Sequence, residues 1–78
     1  MTSIPGWEQK EGALVKQYKF KGFLEAIAFV NRVAGLAEEA DHHPDILIRY
    51  HQVRLTLVTH SAGGLTEKDF ALARKIDA

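Results

Sequence analysis

Between Gly22 and Ala40 the apolar residues recur at intervals of three and four. Phe23, Ile27, Val30, Ala34 and Ala37 form one stripe, and Ala26, Phe29, Val33, Leu36 and Ala40 form a second beside it. At about 100° per residue the two stripes span about half the circumference of an α-helix, so this segment has two sides to bury. Either the helix is set deep in a small core, or the side carrying Phe29, Val33 and Leu36 packs on another subunit.

The flanking segments change period. After the punctuation of Pro5 and Gly6, residues 7–20 predict two short strands about a turn at Glu11-Gly12. In the second strand Leu14, Tyr18 and Phe20 share one parity and Val15, Gln17 and Lys19 the other, with Lys16 intruding on the apolar side. Pro44 restricts His43 to extended backbone and separates the helix from the next segment. There Ile46, Ile48 and Tyr50 alternate with Leu47 and Arg49, and Val53, Leu55 and Leu57 with Arg54, Thr56 and Val58, which predicts a β-hairpin turning near His51-Gln52. A last helix opens at Thr66, with Asp69 at its third position and Leu65 and Phe70 placed as a hydrophobic staple. The order β-β-α-β-β-α with short links between successive strands predicts an α+β fold, a four-stranded antiparallel sheet with helices packed on one face.

All 78 residues are read as one domain, 1–78, and a chain this short buries only about 60–65% of its unfolded surface. With no cysteine to staple it, shared apolar surface in a homo-oligomer is the expected support. Ten basic and ten acidic residues are interspersed along the chain, which argues against a nucleic-acid or membrane-surface footprint. No apolar run reaches the roughly 20 residues that span a bilayer, and the start lacks the pattern of a signal peptide, so the cytoplasm is the expected compartment.

All four histidines lie between His42 and His60. His42 and His43 precede the first strand of the hairpin and His60 follows the second, and antiparallel pairing draws those ends together. Glu38, Asp41 and Asp69 are expected nearby. Imidazole exchanges protons near neutral pH, so such a group can offer an acid on one side of a substrate and a base on the other, as a dehydration requires. No residue stands in a nucleophile motif. Each residue also has a plainer explanation: His42 and His43 could cap the helix C-terminus, Asp69 could complete a capping box, Glu38 could be a solvated carboxylate, Thr59 could be chosen for its β propensity, and His51 could be idle at the hairpin turn. A zinc site is the weaker alternative, because adjacent residues such as His42 and His43 point apart in extended backbone.

The spacing Glu38, His42-His43-Pro44, Tyr50, His60, Asp69, flanked by Trp7 and by "YKFKGFLEAIAFVNRVAGLAE" and "THSAGGLTEKDFALARKI", resembles the signature of the pterin-4a-carbinolamine dehydratases over about residues 7–77. The resemblance implies an enzyme that eliminates water from 4a-hydroxytetrahydrobiopterin or a related pterin to give quinonoid dihydropterin. This step recycles the tetrahydropterin of aromatic amino-acid hydroxylases, without a metal or redox cofactor. It further implies that His42 and His60 are general acids towards the hydroxyl and that His43 binds substrate and accepts the N5 proton. Glu38, Asp41, Thr59 and Asp69 are implied to hold the pterin or orient the histidines.

Members of that family usually carry a further helix ahead of the tryptophan, which a sequence starting almost directly at IPGW is expected to lack. Many carry an aromatic residue where this chain has Ile46-Leu47. The family also implies dimers joined at sheet edges and tetramers joined through the long helix. Two other readings keep the same fold: a noncatalytic dimerisation or assembly module, and a protein acting on another pterin such as molybdopterin.

Overall fold

A computed structural model describes residues 6–77; Pro5 lies outside them. The elements are β1 (Glu8–Lys10), β2 (Ala13–Lys19), α1 (Phe23–Ala40), β3 (Asp45–Arg49), β4 (Gln52–Leu57) and α2 (Glu67–Asp77), with a short 3₁₀ turn at His60–Ala62. The strands form one four-stranded antiparallel sheet, as predicted, and its order is β1-β2-β4-β3. Glu11 and Gly12 both take positive φ, 52° and 77°, the geometry of a two-residue hairpin turn whose twist matches the strands it joins.

Leu14 lies opposite Leu57, and Tyr18 opposite Val53, so the inner faces of β2 and β4 make one apolar surface. Val33 and Ala37 of α1 and Leu72, Ala73 and Ile76 of α2 close over it, and with Leu14, Val53, Leu55 and Leu57 they form the core. Fully burying each leucine contributes about 1.5–3 kcal/mol.

The second stripe of α1 packs towards this core. Val33 is fully buried, Phe29 and Leu36 pack against the core, and the Phe29 ring lies 4.5 Å from Tyr18 and 5.1 Å from Phe20 between centroids. The helix is wide because it meets both the sheet and α2. Its exposed large apolar residues are instead Phe23 and Leu24. Phe29→Glu is therefore expected to destabilise the single subunit by about 2–4 kcal/mol, read as a lower urea midpoint; an unchanged midpoint would return Phe29 to the outside.

Two other details depart from expectation. The β3-β4 turn is Tyr50-His51, one residue earlier than predicted, since Arg49 pairs with Gln52 and Tyr50 takes φ 54°. Either register keeps the same residues on the core face, so alternation alone does not separate them. The observed one is accompanied by a hydrogen bond from the Gln17 side-chain N–H to Gln52 Oε1 and by the Phe20 N–H donating to the His51 carbonyl, both 2.9 Å. Lys16, the intruder on the apolar side, reaches Asp77 at the end of α2 at 3.0 Å. Trp7 Nε1–H and the Tyr18 hydroxyl donate to the same carboxylate at 2.7 and 2.6 Å, tying α2 to the sheet. Burial pushes the Tyr18 hydroxyl well above the ordinary phenol range, with its hydrogen bond to Asp77 and that group's charge adding to the effect.

Candidate active site

Asp45 pairs with Thr56, so the loop entering β3 and the chain leaving β4 meet at one end of the sheet. The loop begins where α1 stops. Asp41 takes the left-handed conformation (φ 51°), its N–H donates to the Glu38 carbonyl at 3.2 Å, and the His42 N–H donates to the Ala37 carbonyl at 3.1 Å. This is a Schellman ending, in which two carbonyls left over by the helix are satisfied. It turns the chain so that consecutive histidines separate, His42 into the protein and His43 into solvent.

The His42 ring is buried, and its Nε2 lies 2.5 Å from Oδ1 of Asp69, a carboxylate with no exposed surface. Asp69 stands at the third position of α2, and its Oδ2 accepts the Thr66 backbone N–H at 2.9 Å, one arm of a capping box. The Thr66 hydroxyl is turned aside to Thr59, 2.8 Å away, and the Thr59 hydroxyl donates to Asp69 Oδ2 at 2.7 Å. Since Thr59 spends its one proton on the carboxylate, Thr66 is the donor between the two hydroxyls. A directed chain therefore runs from Thr66 through Thr59 to Asp69 and meets His42 from the other side.

Burial alone would push the Asp69 carboxyl up. Hydrogen bonds from His42, the Thr66 backbone and Thr59, aided by the charge on His42, outweigh it and hold the group below the usual carboxylate range. As an ionised carboxylate Asp69 only accepts, so His42 Nε2 carries a hydrogen and Nδ1 is the ring atom left to exchange a proton.

Asp77 behaves alike, with burial pushing it up and hydrogen bonds from Tyr18, Lys16 and Trp7 holding it down. Both folded-state pKa values lie below the unfolded value of about 3.9, so the stability these groups contribute is complete above that pH and is lost as pH falls through the folded values. The urea midpoint is expected to drop steeply below about pH 4, and Asp69→Asn and Asp77→Asn should each flatten that drop. Equal slopes in the parent and both variants would show that other groups set the acid limit.

His43 Nε2 lies 2.6 Å from Glu38 Oε1, with both side chains largely exposed. His60 opens the 3₁₀ turn instead of ending the strand. β4 stops at Leu57, Thr59 bridges back to Gly64, and Gly63 supplies the positive φ (72°) that closes the small loop. The His60 ring is exposed, directly after the threonine whose hydroxyl shares Asp69 with His42. Among the described residues no group of three or more histidine, aspartate or glutamate side chains comes together in a form that could hold a metal ion.

A family model for pterin 4 alpha carbinolamine dehydratase matches residues 1–78. The chain belongs to that family. A protein of Thermomicrobium roseum provisionally named pterin-4-alpha-carbinolamine dehydratase is 66% identical over 76 residues, 97% of this chain and 82% of its own. One from Acidobacterium capsulatum, named in the same way, is 54% identical over 78 residues, covering all of this chain and 85% of its own. The crystal structure of a transcriptional coactivator/pterin dehydratase from Brucella melitensis superposes with a TM-score of 0.88 at 39% identity, over 95% of this chain and 81% of that one. A pterin dehydratase-like protein identified as a RuBisCO assembly factor in the alpha-carboxysome superposes at 0.73 with 29% identity, over 91% and 82%.

In this pterin-4-alpha-carbinolamine dehydratase family member, Thr66 is the participant that the sequence pattern does not single out. The pattern marks it only as the residue opening α2, yet its hydroxyl starts the chain of donors that ends on Asp69. A signal exists, because T-x-x-D is a capping box whose carboxylate has a second oxygen to offer. His51 remains apart at the far hairpin turn, half-buried, with Nδ1 unpartnered among the described residues.

Proposed function

We propose that the protein eliminates water from 4a-hydroxytetrahydrobiopterin or a related 4a-hydroxytetrahydropterin, with His42, His43 and His60 as its proton-transferring residues. The leaving hydroxyl takes a proton from an acid and departs as water. The N5–H proton goes to a base, and its bonding pair becomes the new C4a–N5 double bond of the quinonoid product. The balance is one water lost, with no oxidant or reductant consumed.

The observation that carries this reading is the buried His42–Asp69 pair, which fixes one imidazole and leaves Nδ1 for proton exchange. His42 and His60 act as acids towards the hydroxyl, and His43, oriented by Glu38, binds substrate and receives the N5 proton. Thr59 and Asp69 belong to the pocket as residues that orient His42, and Asp41 contributes through the turn that parts the two histidines. In this reading the reaction serves to recycle tetrahydropterin for an aromatic amino-acid hydroxylase, with the cytoplasm as the expected compartment. A homo-oligomer joined at the β3 edge is favoured by the exposed Ile46, Leu47 and Ile48 on an outer strand.

The likeness to a RuBisCO assembly factor favours, as a second reading, a noncatalytic assembly module. Stopped-flow absorbance of freshly generated 4a-hydroxytetrahydropterin separates the two. Acceleration by the parent and none by a His42→Gln, His60→Ala double variant is the expected result. A folded parent that gives no acceleration would leave the assembly module standing.

A further inference from the structure

The face of the sheet turned away from the helices carries a second polar constellation. Arg49 on β3 lies opposite Gln52, and Arg54 on β4 lies opposite both Leu47 and Gln17, with its neighbours Val53 and Leu55 in the core. Gln17, Leu47, Arg49, Gln52 and Arg54 line a shallow cavity of about 60 Å³. That is room for several waters, and so for one small oxyanion.

The arginines here differ from the others in the chain. Arg32 holds the carbonyls of Ile76 and Lys75, and Arg74 pairs with Glu67. Arg49 and Arg54 make no side-chain hydrogen bond or ion pair among the described residues. By register they are diagonal neighbours, about 7–8 Å apart at the backbone, so their guanidinium groups can converge while their charges repel. Lys19, opposite Gln52, adds a third positive charge to this end of the face. Asp45, opposite Thr56 and diagonal to Arg54, forms no ion pair with it, and neither does Glu11, which lines a neighbouring hollow with Arg54. The Gln17 amide donates to Gln52 Oε1 at 2.9 Å, which leaves the Gln52 amide N–H groups free to donate.

We propose that this cavity binds a phosphate group, free or as a monoester, between the guanidinium groups of Arg49 and Arg54, with the Gln52 amide as a further donor. A phosphate dianion matches the two unpaired charges, and its oxygens suit the paired N–H groups of guanidinium. The site lies on the opposite face of the sheet from the core and does not depend on the dehydratase reading.

The test is a ¹⁵N–¹H titration of the whole protein at about pH 7.5, where phosphate esters are mostly dianionic, at constant ionic strength. One arm uses inorganic phosphate and the other phenyl phosphate. Saturable shifts confined to amides around Gln17, Leu47 to Arg49 and Gln52 to Arg54 are expected in at least one arm. R49Q/R54Q should raise Kd about tenfold or more with the remaining spectrum unchanged. Response in both arms assigns the site to the phosphate group itself, and response to phenyl phosphate alone assigns it to esters. Should R49Q/R54Q lose its dispersed spectrum, R49K/R54K, which keeps the charge and loses the fork, is expected to weaken binding in its place. Non-saturating shifts spread over the surface, shifts centred on His42 and His43, or an affinity unchanged in the folded variants would overturn the proposal.

Discussion

His42→Gln is expected to lower turnover of a 4a-hydroxytetrahydropterin by about 10²-fold or more, the scale of a lost acid–base group. Glutamine is the informative replacement because its amide nitrogen can still donate to Asp69 Oδ1, where the ring now lies at 2.5 Å. Alanine would leave that buried oxygen bare at a cost of about 1–3 kcal/mol, mixing a folding defect with a chemical one. Urea midpoints measured beside the rates separate the two. A glutamine variant with parental turnover would remove His42 from the reaction, and the search for the acid would move to His60.

Asp69→Asn should produce a comparable loss for a different reason. Asparagine can still accept the Thr66 N–H and the Thr59 hydroxyl through its oxygen, but it then turns an NH₂ towards His42. Two donors cannot share that bond. The ring has to present Nε2 as an acceptor, which moves the hydrogen of the neutral imidazole to Nδ1 and takes away the lone pair that exchanges protons. The expected result is a fall in kcat of about 10²-fold, together with a swap of the His42 ¹⁵N signals between the two nitrogens. Activity lost with the tautomer unchanged would instead mark Asp69 as a purely structural residue.

Most of the architecture was legible because period and parity are local properties. The six elements, the antiparallel pairing and the start of α2 follow from alternation, from helical spacing and from the T-x-x-D cap. The side of α1 that meets the core was not legible, because two adjacent stripes are equivalent until α2 is packed against one of them. Phe29 and Val33 face inward for that reason. The hairpin turn was off by one residue, since both registers keep Ile46 and Ile48 on the inner face and the bonds around Gln17, Phe20 and His51 join distant parts of the chain. Asp77 gave no sign of its role, because the residues that bind it, Trp7, Lys16 and Tyr18, lie about sixty to seventy positions away.

The gathering of His42, Thr59 and Asp69 was foreseeable as a neighbourhood, through the ends of the hairpin and the helix start. The hydrogen-bond order within it was not, since it depends on which oxygen of Asp69 each donor reaches. The bonds that Arg32 makes to the carbonyls of α2 likewise become visible only with the helices packed, and with them part of the contrast with Arg49 and Arg54.

The Asp69 carboxylate closes the first turn of α2 with one oxygen and holds the buried imidazole with the other. Helix initiation and the setting of His42 are thus a single cooperative event. α1 and the sheet alone lack the carboxylate that holds the His42 ring, which the eleven-residue α2 brings. Fraying of the first turn of α2 is expected to release the His42 ring as well, since both depend on Asp69. Deuterium uptake at the Thr66 amide should therefore follow the fraction of molecules in which the His42 ring has parted from Asp69.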